Sequence, residues 1–148
     1  MPKPPIPRLT VITLGVADMR RSIAFYEALG FVRKMRVTGE AVAFFETGAT
    51  VIGLFPRDQL AQDATLPDQP RPAAFRGVTL AWNCRSPEEV DGVIAFAVSK
   101  GARPLKPAHG TDYGGYSGYF VDPDGHPWEA VVAPGIEVGE DRRVHLPD

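Results

Sequence analysis

The strongest constraint on the fold is a programme that the chain runs twice. Leu9–Val16 alternates and is rich in Thr, Val and Ile, which reads as a strand. Asp18 sits where a helix N-cap belongs, and Met19, Ile23, Tyr26 and Leu29 recur at helical spacing until Gly30 closes the run. Phe31–Val37, Ala41–Glu46 and Thr50–Phe55 follow as strand candidates parted by Gly39 and Gly48, and Arg57–Ala64 reads as a short helix. The second half then restarts. Gly77–Cys84 is a strand, and Ser86-Pro87-Glu88-Glu89 is a capping box with proline at the first helical position. It opens a helix to Lys100, apolar at Val90, Ile94, Ala97 and Val98 and stopped by Gly101. Arg103–Lys106, Tyr116–Val121 and Pro127–Val132 are the next strands, interrupted by a glycine-rich loop, His109–Gly115. Ile23-Ala24-Phe25 followed by Gly30 reappears at the same internal spacing as Ile94-Ala95-Phe96 followed by Gly101. These are common residues and weak evidence alone. Joined to the repeated β-α-β-β-β order, they favour an internal duplication.

This reading predicts an α+β domain over residues 9–134, with modules 9–64 and 75–134, a proline-rich tail over 1–8 and a C-terminal tail over 135–148. Thr65–Ala74, with Pro67, Pro70 and Pro72, reads as the linker. A chain of 148 residues fits one domain, able to bury roughly 70% of its unfolded surface. A formal charge of −2 argues against a dedicated nucleic-acid binder, and the cluster Arg33, Lys34 and Arg36 reads as a solvated strand edge. No apolar run reaches the length of about 18 residues that a membrane span needs, and the proline-rich start lacks the apolar region of a signal peptide. The single cysteine, Cys84, makes neither an internal disulfide nor a cysteine-based zinc site. The expected compartment is the cytoplasm.

Strand periodicity sorts the side chains into two faces. Ile12, Leu14 and Val16, then Leu80, Trp82 and Cys84, Gly118 and Phe120, and Trp128, Ala130 and Val132 make a uniformly apolar face that should pack on the helices. The opposite face mixes Thr13, Thr79, Asn83, Ser117, Tyr119 and Glu129 with Val11, Val51, Phe55, Val121 and Val131. Apolar walls with a few convergent polar groups describe a ligand pocket better than a wetted sheet. Tyr113, Gly114, Gly115 and Tyr116 form an aromatic loop beside it, read either as a lid or as an ordinary connection.

Asp122-Pro123-Asp124-Gly125 is turn chemistry on physical grounds alone, proline presetting φ and glycine accepting positive φ. Extended through His126-Pro127-Trp128-Glu129, it resembles the turn and last strand of the glyoxalase / bleomycin-resistance / dioxygenase superfamily, of usual form D-P-D-G-x-x-x-E. Val16-Ala17-Asp18, Ser22-Ile23-Ala24-Phe25-Tyr26 and Leu29-Gly30-Phe31 are similar to that family's first strand and helix, and the likeness spans Leu9 to Pro134. The resemblance implies two βαβββ modules forming a curved mixed sheet around a small-molecule cup, helices on the outer face, and a homodimer. Tyr116-Ser117-Gly118-Tyr119-Phe120 is similar to the S-x-Y-F run of the fosfomycin-resistance branch, where Ser and Tyr contact the drug, and this implies inward orientation for Ser117 and Tyr119.

Metal-dependent members place ligands on the first, fourth, fifth and eighth strands. The corresponding residues here are Val11, Gly53, Thr79 and Glu129, and only Glu129 is of a ligand type. A transition-metal site needs about three N, O or S donors, so no metal and no cofactor are expected. Completion of a metal site would fall to His109, on the flexible loop, or to His126, expected at the surface of the turn.

A carboxylate in a partly apolar cup either has a raised pKa or accepts hydrogen bonds from neighbours such as Tyr119, Ser117 or Asn83. Two functions follow for Glu129. It pairs with a cationic or hydrogen-bond-donating ligand in a metal-independent binding protein, with Thr13, Thr79, Asn83, Tyr113, Tyr116, Ser117 and Tyr119 as further ligand contacts. Alternatively it is the catalytic base of a lyase, isomerase or dioxygenase, metal-dependent or not. A ligand-free interaction domain is the third reading.

Overall fold

The structure, a computed structural model, describes residues 3–68 and 75–148. The prolines expected in the linker at 70 and 72 lie outside the described residues.

The first half gives β1 (Val11–Val16), α1 (Met19–Ala28), β2 (Val32–Lys34), β3 (Ala43–Glu46), β4 (Val51–Pro56) and α2 (Arg57–Asp63). The second gives β5 (Leu80–Asn83), α3 (Pro87–Ser99), β6 (Arg103–Gly110), β7 (Tyr116–Val121) and β8 (Pro127–Val132), and the C-terminal segment adds β9 (Glu137–Val138) and β10 (Val144–His145). The two four-stranded sheets have the same order, β1-β4-β3-β2 and β5-β8-β7-β6. In each, the first strand runs parallel to the last and the other pairings are antiparallel. The α+β, two-module architecture is therefore as the sequence implies.

The helix ends explain the repeated glycines. In α1 the N–H of Gly30 bonds to the carbonyl of Glu27 and that of Phe31 to Tyr26. In α3, Gly101 bonds to Val98 and Ala102 to Ala97. Both are Schellman closures, which need a left-handed residue, and the glycines have φ of 99° and 109°. At the other ends, Asp18 accepts from Arg21 N–H at 3.0 Å and Ser86 from Glu89 N–H at 3.1 Å. The Glu89 carboxylate reaches back to Arg85 N–H at 3.0 Å, one residue before the cap that the capping-box reading implied.

Several boundaries differ from the sequence reading, β1 and β3 beginning two residues later than expected, at Val11 and Ala43. β2 stops at Lys34, because Met35 takes a left-handed φ of 51° and Arg36–Thr38 form a 3-10 turn. β5 begins at Leu80, after Gly77 with φ 93°. β6 continues to Gly110 through Pro104 and Pro107, with register breaks on both sides of Lys106. It is the end strand of its sheet, where prolines cost no ladder bond. His109 therefore stands on a strand, opposite Ser117, and not on a flexible loop.

Both sheets turn their apolar face into one core. Leu14, Val16, Ile52, Leu54 and Phe45 from the first meet Leu80, Phe120, Trp128 and Ala130 from the second, with α1 and α3 supplying Ile23, Tyr26, Val90 and Ala97. The Tyr26 ring lies 6.1 Å from Phe45 of its own module and 6.1 Å from Trp128 of the other. Phe120 and Trp128 stack at 6.0 Å. The strand faces thus have the expected register, and the mixed faces of both sheets turn away from the common core.

Candidate functional site

The antiparallel ladder of β7 and β8 decides which polar side chains meet. Tyr119 stands directly opposite Glu129, and Ser117 opposite Val131. β6 adds Lys106 opposite Tyr119 and His109 opposite Ser117. Together with Thr111, Asp112 and Tyr113 of the β6–β7 loop, these residues line a hollow of about 390 Å³ on the mixed face of the second sheet. Ser117 is buried at 4% exposure while Tyr119 and Glu129 are half-buried, so the hollow has a floor as well as a rim. Burial, and then the neighbouring Glu129 carboxylate, raise the Tyr119 pKa. Its phenol therefore remains a hydrogen-bond donor through neutral pH, beside an acidic acceptor.

Of the residues singled out from sequence, Ser117, Tyr119, Glu129 and Tyr113 come together here. The others lie elsewhere. Thr13 is exposed on the mixed face of the first sheet, paired with Gly53, whose missing side chain makes room for it: a Cβ there would sit 3.0 Å from Thr13 Oγ1. Thr79 and Asn83 flank a second, larger cleft of about 600 Å³ between the modules. Tyr116 is the first residue of β7 and shares the helix-side face with Gly118 and Phe120. Its hydroxyl donates to Asp91 of α3 at 2.8 Å, so it is not part of the hollow. Lys106, Thr111 and Asp112 were not read as site residues. Lys106 was read on a strand but not assigned a face, and the register shifts on both sides of it.

His126 is also not the surface residue expected. Its Nε2 bonds to the carbonyl of Gly15 at 2.8 Å, joining the β7–β8 turn to the end of β1. Asp122 and Asp124 of the same turn are tied to α1. The Tyr26 hydroxyl donates to Asp122 at 2.7 Å and accepts from Trp128 Nε1 at 3.2 Å. Asp124 accepts from Ala17 N–H at 2.8 Å and from Ser22 Oγ at 3.0 Å. The Asp-Pro-Asp-Gly-His segment is thus a clasp between modules, and neither carboxylate lines the hollow.

The donor set does not fit a metal. Three of the four positions that carry ligands in metal-dependent relatives hold Val11, Gly53 and Thr79. Among the described residues, no three His, Cys, Asp or Glu side chains stand close enough to share an ion. A valine and a glycine supply no side-chain donor to an ion.

Comparison with known proteins agrees with the fold and the motifs. The model of the Glyoxalase/Bleomycin resistance protein/Dioxygenase superfamily matches residues 8–130, and the chain belongs to that superfamily. Among solved structures, a glyoxalase-related enzyme from Fulvimarina pelagi is 30% identical with a TM-score of 0.83, over 97% of this chain and 100% of that one. A lactoylglutathione lyase from Agrobacterium tumefaciens is 23% identical with a TM-score of 0.62, over 88% and 96% of the two chains. A family enzyme from Burkholderia phytofirmans is 21% identical with a TM-score of 0.72, over 84% and 98%. The last two likenesses concern the fold alone. A search among curated proteins finds no match. No helix among the described residues is long and apolar enough to cross a membrane.

Proposed function

We propose that this protein binds a small organic molecule in the hollow of the second sheet without the help of a metal. The observation that carries the reading is the convergence of Ser117, Tyr119 and Glu129 on one concave face, with Tyr113 at the rim. An acidic acceptor beside a phenol donor suits a ligand with a cationic or donating group next to an acceptor, and the Tyr113 ring offers flat contact area. The hollow is lined by second-module residues, and Thr13 lies on the first sheet's mixed face. A homodimer in which the partner's first sheet covers the hollow would bring both faces to one ligand, and the cytoplasm is the compartment we assign.

The test is a calorimetric titration with a panel of aromatic amines. Binding of one molecule per hollow is expected, weakened about tenfold or more in Glu129→Gln and about threefold to tenfold in Tyr119→Phe. No binding across the panel, or affinities unchanged in both variants, would refute the reading.

A second reading is favoured by the kinship to the glyoxalase-related enzyme. Here Glu129 acts as general base on a substrate C–H or O–H, and the Tyr119 phenol hydrogen-bonds the oxygen on which charge develops. Turnover of a methylglyoxal–glutathione adduct that disappears in Glu129→Gln would select it.

A further inference from the structure

The larger cleft lies on the other side of the sheet from the hollow, between the modules. Its walls are aromatic: Phe31 lies 5.6 Å from Trp82 and 5.9 Å from Trp128, and Trp82 lies 6.4 Å from Trp128. One side is β5, the end strand of its sheet, whose outer backbone edge has no strand partner among the described residues. The C-terminal hairpin β9–β10 borders the other side, held by the Arg85 guanidinium, which donates to the carbonyls of Val138 at 3.2 Å and Gly139 at 2.7 Å. Three arginines line this cleft, Arg85, Arg142 and Arg143. None of them forms an ion pair among the described residues. The one carboxylate in the lining, Glu89, is taken up by the Arg85 backbone N–H. In a chain of net charge −2, this is a local excess of positive charge over an aromatic slot.

From this we infer a second small-molecule site, separate from the hollow, that takes a planar aromatic anion. The ring system lies against the cleft-facing surface of the half-buried Phe31 and Trp82, over the buried Trp128, and its carboxylate meets Arg142 and Arg143 at the mouth. Three properties support that ligand class. A volume of about 600 Å³ suits a drug-sized molecule. Offset aromatic packing rewards a flat ring. Guanidinium forks match a carboxylate, and neither Arg142 nor Arg143 is held in an ion pair among the described residues, although Asp141 stands near Arg143.

Both tryptophans of the chain line this cleft, so intrinsic fluorescence reports on it directly. The experiment titrates the full chain with 2-naphthoate and with its uncharged counterpart, 2-naphthalenemethanol. Saturable quenching at one 2-naphthoate per chain is expected, with the alcohol weaker by about tenfold or more. The double variant Arg142→Gln/Arg143→Gln should bring the two ligands to parity, while Glu129→Gln leaves naphthoate binding as it is. The acid-against-alcohol comparison uses the unaltered chain, so it stands even if the double variant folds poorly. Quenching that does not saturate, equal binding of acid and alcohol, or a well-folded double variant with undiminished preference for the acid would overturn the site. Loss of binding in Glu129→Gln would also overturn it, because the ligand would then occupy the hollow.

Discussion

Asp124 accepts from the backbone N–H of Ala17, 107 residues earlier, and its second oxygen takes the Ser22 hydroxyl. One carboxylate thus satisfies an amide at the start of α1 and anchors the opposite module to it, and its side chain is 8% exposed. Asp124→Ala should cost about 1–3 kcal/mol in urea unfolding, with Asn recovering part of the loss. Asp122 differs in kind. Burial raises its pKa above the ordinary carboxylate range, against the opposing pull of His126 and of its hydrogen bonds. A carboxyl raised in the folded state contributes stability that is fully present below its unfolded value, near about 3.9, and lost as pH rises through the folded value. Asp122→Asn removes that titration. The stability of the native chain relative to the variant should therefore fall as pH rises above about 4 in parallel denaturation series, and a difference that rises with pH would contradict the assignment. The Asp-Pro-Asp-Gly turn itself was legible, because turn chemistry is local. Its role as a clasp was not, since the partners of Asp122, Asp124 and His126 lie about a hundred residues away and leave no periodicity near the turn.

At the scale of elements, α3 rests on β7 through Gly118. A Cβ at that position would lie 2.6 Å from Ile94 Cδ1 and 2.8 Å from the Ala108 backbone, and backbone cannot swing aside. Gly118→Ala should destabilise the protein by about 1–3 kcal/mol. Gly110→Ala, where a Cβ would meet nothing within 4 Å, should stay within about 0.5 kcal/mol in the same thermal melts. Strand parity put Ser117, Tyr119 and Glu129 on one face because β7 and β8 pair in unbroken register. It failed to carry Tyr116 to its proper face only because that residue was grouped with the loop before it. β6 was half-legible. Pro104 and Pro107 argue against a strand by local rules, and an edge position is what tolerates them. That position follows from topology, not from the segment's own letters.

For the molecule as a whole, the shared core joins the two modules more tightly than their repeated sequence suggests. Tyr26 touches Phe45 and Trp128 equally closely, and its hydroxyl links Asp122 with the indole of Trp128. Chemical denaturation should therefore follow a single transition, with tryptophan fluorescence and far-ultraviolet circular dichroism coincident. Tyr26→Phe should shift that transition by about 1–3 kcal/mol without splitting it in two. The fold class was legible because duplication, caps and alternation all agree. The division of the polar residues between a hollow and a separate cleft was not, because it depends on how the two sheets are set against each other.

The clasp also bears on how such a chain matures during synthesis. While the ribosome has delivered only the first sixty or so residues, the phenol of Tyr26 has no carboxylate to reach and the rings of Phe31 and Phe45 have no indole to cover them. That surface stays open to water until Trp128 emerges. Contacts separated by about a hundred positions close late and slowly. The nascent first half is thus the species most in need of protection from its neighbours, and the turn over Asp122–His126 is the one that seals it.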